Sequence, residues 1–283
     1  MGDDTLSDVM DGVASTSGAL VKANHPWVDA QLAQLYDAFS FDADVPLYVE
    51  LAAQQGGRVL ELACGSGRLL VPLAEAGHEV AGIDVSTHML ALAGTKLERR
   101  AELRDRVHLV HGDMRGFDVP GPFDLAIIAV KSFAYLTDTD DQLRALSSIS
   151  RHLRQGGLLA IDLLHATPEW IGQRPGSLRD DLVHYSAAHG FTLSRVESVV
   201  RTDLSRQIRV IRSAYEAIDE RGQVVAKRFV EWSYRWIHRF EAEHLLARAG
   251  FELQAVYGGY QREPFTSDSP TMLMLARRQE KTA

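Results

Sequence analysis

One stretch, Val59-Leu60-Glu61-Leu62-Ala63-Cys64-Gly65-Ser66-Gly67-Arg68, constrains this chain more than any other. From Arg58 to Ala63 both faces of an extended backbone are apolar, the mark of a strand buried inside a sheet. Gly-Ser-Gly ends it abruptly, and Leu69, Leu70, Val71, Leu73 and Ala74 then follow at helical spacing. Strand, glycine turn and helix make the first unit of a wound α/β sheet that holds a nucleotide-like ligand. Glycines let the backbone turn sharply and approach a ligand, and the helix start offers it unpaired N–H groups.

His78-Glu79-Val80-Ala81-Gly82-Ile83-Asp84 reads as a second strand ending in an acid, placed to reach ribose hydroxyls. Two details argue against a dinucleotide. Leu70 stands where G-x-G-x-x-G has its third glycine, and Glu61 puts a carboxylate at the strand end facing the loop. A buried acid there suits a cationic ligand better than a pyrophosphate. S-adenosylmethionine, with its amino group and sulfonium, is such a ligand.

The chain resembles class I S-adenosylmethionine-dependent methyltransferases. The resemblance rests on Glu61 to Arg68, on Gly82-Ile83-Asp84-Val85-Ser86 with Met89-Leu90, and on Gly112-Asp113-Met114. Phe123-Asp124-Leu125-Ala126 and Leu153-Arg154-Gln155-Gly156-Gly157 complete it, in family order over roughly 45–164. It implies a doubly wound, mostly parallel, seven-stranded Rossmann-like sheet that ends in an antiparallel hairpin, and S-adenosylmethionine as cofactor.

Taken in order, residues 1–22 are small, polar and acidic and read as a mobile tail. Residues 23–44 carry an amphipathic helix with Leu32, Leu35, Tyr36 and Phe39 on one face. The resemblance makes this helix a lid, with Tyr36 over the cofactor. Residues 45–165 form the cofactor-binding core: a helix capped by Ser86, strands 107–110 and 123–130, a helix from Asp138 to Leu153 stopped by Gly156-Gly157, and a fifth strand, 158–164. Strands 191–200, 207–218 and 224–237 then read as an antiparallel meander inserted after the fifth strand, giving a β cap over 166–239. Residues 240–283 return to the core with a helix closed by Gly250 and the last hairpin.

Composition narrows the partners. A net charge of −8 argues against a general nucleic-acid or membrane-surface partner, and no apolar run has the length of a membrane span. The acidic N-terminus is the wrong charge for a secretory signal, and the single cysteine, Cys64, excludes an internal disulfide, so a cytoplasmic location is expected. A small-molecule acceptor is the expected partner, and a homodimer is among the candidate assemblies.

The resemblance assigns cofactor contacts to Tyr36, Glu61, Ala63, Gly65, Gly67, Arg68, Asp84, Val85, Met89, Asp113, Met114 and Ala129. Asp84 is suited to both ribose hydroxyls, Val85 to the adenine face and Asp113 to the adenine amino group. Arg68 would meet the methionine carboxylate or lie on an exposed helix face. His165, just past the fifth strand, is the candidate base, with Tyr36 a second catalytic candidate. Lys131, Phe133, His165, Trp232, Tyr234, Trp236 and Tyr257 are the candidate acceptor contacts, and period-two spacing sets Trp232, Tyr234, Trp236 and His238 on one strand face. No histidine–carboxylate cluster has metal spacing, so a metal-free displacement is expected. The acceptor atom reads as nitrogen before oxygen, since a free amine needs no base, and antibiotic tailoring is one setting. A regulatory cofactor-binding module, an NAD-dependent oxidoreductase and an RNA methyltransferase using Arg206, Arg209 and Arg212 stay open as alternatives.

Overall fold

The structure, a computed structural model, describes residues 20–22, 29–39, 41–179, 183–186 and 191–279. In chain order it begins with β1 (Leu20–Lys22), α1 (Ala30–Ala38) and α2 (Val45–Gln55). The wound segment follows as β2 (Arg58–Leu62), α3 (Leu70–Glu75), β3 (Glu79–Asp84), α4 (Thr87–Glu98), β4 (Val107–His111), β5 (Phe123–Ile128), α5 (Thr139–His152) and β6 (Leu153–Leu163). Next come α6 (Pro168–Gly172), β7 (Leu178–Arg179), β8 (Val183–Ser186), β9 (Phe191–Asp203), β10 (Ile208–Asp219) and β11 (Val224–Arg235). The chain ends with α7 (Arg239–Arg248), β12 (Phe251–Tyr257) and β13 (Met272–Arg278). It divides into two units, Phe41–Ile171 with Trp236–Ala283, and Met1–Ser40 with Gly172–Arg235.

The first of these holds the seven-stranded sheet, in the order β12-β13-β6-β5-β2-β3-β4. β13 is antiparallel to both its neighbours, while β6, β5, β2, β3 and β4 run parallel to one another. The chain winds outward through β2, β3 and β4, then returns to lay β5 on the other side of β2. That reversal opens a crevice at the carboxyl ends of β2 and β5, where sheets of this kind bind their ligands. Alternation sends Leu60 and Leu62 of β2 into the core on one face and Val59 into that on the other, so Glu61 takes the face of Val59. Helix starts are capped where sequence spacing places them: Ser86 Oγ accepts from the Met89 N–H at 3.3 Å, and Asp138 heads α5. No described helix is long and apolar enough to cross a membrane.

In the second unit, β11, β10 and β9 form the antiparallel meander, β7 and β8 add to β9, and β1 pairs in parallel with β11. α1 is capped by Asp29, whose Oδ1 accepts from the Leu32 N–H at 2.9 Å while Oδ2 accepts from Arg228 at 2.7 Å. Phe39 lies 6.2 Å from the ring of Tyr215 on β10.

Three expectations are corrected and one helix is added. Leu20–Lys22 is a strand, not tail; the rest of the tail lies outside the described residues. Gly156-Gly157 does not stop α5: the helix ends at His152, where Leu153 turns extended at ψ 146, and β6 runs through both glycines. α2 was not anticipated, because Val45, Leu47, Tyr48, Val49, Leu51 and Ala52 leave it little polar face. β11 stops at Arg235, so Trp236 and His238 leave the period-two face. His238 becomes the N-cap of α7, and Trp236, 2% exposed, packs edge-on against Trp170 with centroids 5.5 Å apart.

Candidate active site

Several candidate residues meet at the carboxyl ends of the parallel strands. After β2 the chain turns through Ala63, Gly65 and Gly67 at φ 55, 55 and 80. This left-handed backbone is easy for the two glycines and costly for most other residues. The turn is tied to β3: Cys64 N–H donates to the Ile83 carbonyl at 3.0 Å, and Gly65 N–H donates to Asp84 Oδ2 at 2.8 Å. Asp84 Oδ1 accepts from the Ser86 N–H at 2.8 Å. Asp84 thus braces the glycine turn from the next strand. The missing third glycine is explained here too. Buried Leu70 fills its place, and its methyls come within 2.8 and 2.9 Å of where a Cβ on Gly82 would stand. The glycine that permits close helix–strand packing sits on β3 instead of α3.

Glu61 is 3% exposed, and its Oε2 has no hydrogen-bond partner. Burial pushes its carboxyl from 4.5 up to about 8, with Arg68 pulling down and Asp44 and Asp84 pushing further up. A buried unpaired carboxylate is costly and persists where something cationic completes it. Arg68 does not lie on a fully exposed helix face: its guanidinium grips Asp44, itself fully buried, through both Nη atoms, one of them at 2.8 Å.

Past β3, Val85 is 47% exposed while Met89 is buried. Past β4, Asp113 forms a tight turn with Gly116 and is held by Arg115, which also reaches Asp141 at 2.6 Å; Met114 packs on the core. The Arg115 hydrogen bonds hold the Asp113 carboxyl below its usual value. Past β5 the Ala129 carbonyl accepts from Ser132 Oγ at 2.9 Å, and Val130 and Lys131 are both left-handed, at φ 50 and 59. For a β-branched residue that is a strained backbone, of the kind found at working sites.

Lys131 does not simply point to solvent. Its Nζ lies 3.7 Å from Oδ2 of Asp162, which is fully buried on β6. The Tyr260 hydroxyl donates to the same oxygen at 2.7 Å, and Thr271 Oγ1 donates to the other. Tyr48, buried on α2, has a hydroxyl without a partner and feels the charges of Asp162 and Asp44; burial pushes its pKa well up. Beyond β6, His165 is half-buried, with Nδ1 2.9 Å from the Ser269 carbonyl and its ring 4.7 Å from Phe265. With Nδ1 donating to that carbonyl, Nε2 is left as the basic nitrogen.

Phe133 is 1% exposed within the core, so it is a packing residue like Trp236. Tyr257 is half-buried against the other core layer. Tyr36, Trp232 and Tyr234 belong to the second unit, where Trp232 is buried edge-on to Tyr234 at 6.0 Å. There Arg209 is fully buried on Thr202 and Gln173, and Arg212 pairs with Glu231 at 3.0 Å. Arg209 and Arg212 thus have partners within their own unit, while Arg206 is exposed. Among the described residues no three His, Cys, Asp or Glu are grouped to hold a metal ion. Sequence reasoning missed Asp44, Tyr48 and Arg115; none carries a local signal, since each is brought to its place by a turn or a tertiary contact.

A wound sheet with its glycine turn at the switch point, an acid closing β3 and an antiparallel β13 define the fold of the class I S-adenosylmethionine-dependent methyltransferases. Residues 59–157 match the family described as "Methyltransferase domain", so the chain carries such a domain. It is 35% identical to YqeM of Bacillus subtilis, named as a methyltransferase, over 119 residues, which are 41% of this chain and 46% of that protein. It thus spans less than half of YqeM. It is 29% identical over 224 residues to the cypemycin N-terminal methyltransferase of a Streptomyces species, covering 79% of this chain and 84% of that protein. The solved sugar N-methyltransferase of a Streptoalloteichus species superposes with a TM-score of 0.66 at 25% identity, over 87% of this chain and 93% of that one.

Proposed function

We propose that this protein transfers a methyl group from S-adenosylmethionine to an amine nitrogen of a small-molecule acceptor. The observation that carries the reading is the orphaned carboxylate oxygen of buried Glu61 beside the glycine turn. That acid fits the cofactor's amino group and has no counterpart in a pyrophosphate site. When bound, S-adenosylmethionine supplies a methyl group already activated by its sulfonium. Glu61 would hold the amino group, Gly65 and Gly67 would admit the methionine portion, and Asp84 would accept from ribose hydroxyls with the lone pairs its backbone donors leave. Exposed Val85 would supply apolar surface for the adenine, with Met89, 1% exposed, reaching it only if the glycine turn gives way.

The chain's own contribution to rate is alignment and exclusion of water, with little covalent chemistry left to do. His165 is the candidate base, oriented through Nδ1 by the Ser269 carbonyl. A neutral amine reacts without it; an ammonium acceptor first gives up a proton, which Nε2 would take. Lys131 and Tyr257 on the sheet side, and Tyr36, Trp232 and Tyr234 by side-chain chemistry alone, are proposed to recognise the acceptor. Nitrogen is favoured over oxygen because one relative is by name a sugar N-methyltransferase and another a methyltransferase of a peptide N-terminus.

Calorimetric titration with S-adenosylmethionine, S-adenosylhomocysteine and NAD tests the cofactor. Binding of the first two without NAD is expected; binding of NAD alone would overturn the proposal. Mass spectrometry of a free-N-terminus peptide and an amino-sugar nucleotide incubated with protein and cofactor then tests the acceptor class. A gain of one methyl mass on nitrogen is the expected result, and methylation only of hydroxyl acceptors would refute the choice of nitrogen.

A further inference from the structure

The chain leaves β5 through a turn that is costly to make. Val130 and Lys131 stand in left-handed backbone one after the other, and neither is a glycine. Two such residues in succession, one of them β-branched, persist only where their surroundings over-determine them. Here the Ala129 carbonyl accepts from the N–H and the hydroxyl of Ser132 at 3.1 and 2.9 Å, and the Lys131 carbonyl accepts from the Ala134 N–H at 2.9 Å. Phe133 and Ala134, both buried, anchor the far side of the turn in the core. The turn is built, and what it presents is the Lys131 side chain.

An ammonium carries three donors and no acceptor. Among the described residues its ion-pair partner is Asp162, with Nζ 3.7 Å from Oδ2, a distance too long for a hydrogen bond. Asp162 draws its hydrogen bonds from elsewhere: Tyr260 donates to Oδ2 at 2.7 Å and Thr271 to Oδ1. The lysine thus balances the charge of a buried acid without spending its own donors. A four-carbon stem is flexible enough to close the gap, so charge balance alone does not explain where Nζ stands. The Lys131 side chain keeps 31% of its exposure and that of Asp162 none, which puts the ammonium on the open side of the pair. His165, the candidate base, follows just past the end of the strand that carries Asp162. One end of the sheet therefore offers a base for an amine and a cation for an acid.

We propose that Lys131 is a specificity-determining residue that selects acceptors carrying an anionic group, a carboxylate or a phosphate, beside the amine to be methylated. This rests on the methyl-transfer reading above and narrows its acceptor from any small-molecule amine to an acidic one. The strained turn and the pull of Asp162 hold the ammonium in place before the acceptor arrives, so little ordering remains to oppose binding. A charge-assisted hydrogen bond from a preplaced, partly buried ammonium is worth about tenfold or more in affinity.

The experiment measures steady-state kinetics of the full-length protein at saturating S-adenosylmethionine on two matched pairs of acceptors, in the parent, Lys131→Met and Lys131→Arg. One pair is an amino-sugar 1-phosphate and the methyl glycoside of the same amino sugar; the other is a dipeptide with a free or an amidated carboxyl end. The parent is expected to favour the acidic member of one pair by about tenfold or more in kcat/KM, and the pair that shows it tells phosphate from carboxylate. Lys131→Met should bring that ratio to about twofold or less, chiefly through KM, while Lys131→Arg keeps most of it. Should Lys131→Met fail to fold, Lys131→Met combined with Asp162→Asn removes both charges together and must lose the ratio in the same way. A lysine that only balances Asp162 would lower the melting temperature and slow both members alike, leaving the parental ratio in Lys131→Met, and that result overturns the inference. No preference in either pair, or turnover of neither pair by protein that binds S-adenosylmethionine, overturns it too and leaves the cofactor reading standing. If the parent does not bind S-adenosylmethionine, the cofactor reading itself fails and takes this one with it.

Discussion

Replacing Glu61 by Gln keeps its shape and removes its charge, and the consequences are calculable. The folded protein holds the Glu61 proton up to about pH 8, whereas the unfolded chain gives it up near 4.5. The folded state thus binds more protons across that interval. The group's stabilising contribution is whole below the unfolded value and is lost as pH rises toward the folded one. At about 1.4 kcal/mol per pH unit the full interval corresponds to about 5 kcal/mol. Between about pH 5.5 and about pH 8.5 the loss is about 3 kcal/mol. Urea denaturation of both proteins at those two pH values isolates it: the parent should lose about 3 kcal/mol more than Glu61→Gln over the interval. The same proton reports the ligand. A cationic amino group completing Glu61 must displace it, so at neutral pH S-adenosylhomocysteine binding should release about 0.9 proton, seen as a binding enthalpy that differs between phosphate and Tris buffers. Glu61→Gln should bind weakly with no buffer dependence. Parallel pH profiles of stability in the two proteins, or a buffer-independent enthalpy in the parent, would refute the argument.

Three further outcomes are expected. Asp84→Asn should weaken S-adenosylhomocysteine binding by about tenfold or more by calorimetry, since the amide cannot accept from two hydroxyls while meeting two backbone donors; unchanged affinity would end the ribose assignment. Asp162→Ala strands the Tyr260 and Thr271 hydroxyls and leaves Lys131 without its acid, and should cost about 2–5 kcal/mol in urea melts; a loss below about 1 kcal/mol would mean the network is slack. His165→Ala should lower kcat by about a hundredfold without moving cofactor affinity if Nε2 takes the acceptor's proton, whereas a normal kcat returns it to the loop.

What was legible in the sequence follows physical range. β2, its glycine turn, β3 ending in Asp84 and the Ser86 cap are written in neighbouring residues, and the structure places them where spacing puts them. The meander strands were equally readable, because their apolar alternation is local. Period two misled at Trp236 and His238: alternation continues on paper after the backbone has left the strand, where Trp236 is buried against Trp170 and His238 caps a helix. The helix of Val45–Gln55 was hidden because its exposed face, Pro46, Glu50, Ala53 and Gln54, carries few polar residues to mark it. The charged partners were hidden for another reason. Asp44 and Arg68 stand 24 residues apart, and Tyr260 and Asp162 stand 98 apart, so only the folded chain brings them together. Even Arg115, two residues from Asp113, showed nothing, since any exposed arginine in a turn looks the same until its donors are counted.

The edge-on contact of Trp170 with Trp236 has a consequence for the chain's history. These residues flank the segment Gly172–Arg235, so the core leaves and resumes at nearly one point. An excursion whose two ends touch adds little to the entropy of closing the core around it, and its length matters only logarithmically. An exchange of the segment between Ile171 and Trp236 leaves the register of the core sheet alone, but it must carry Leu20–Lys22 and Asp29 with it, since they pair with β11 and Arg228.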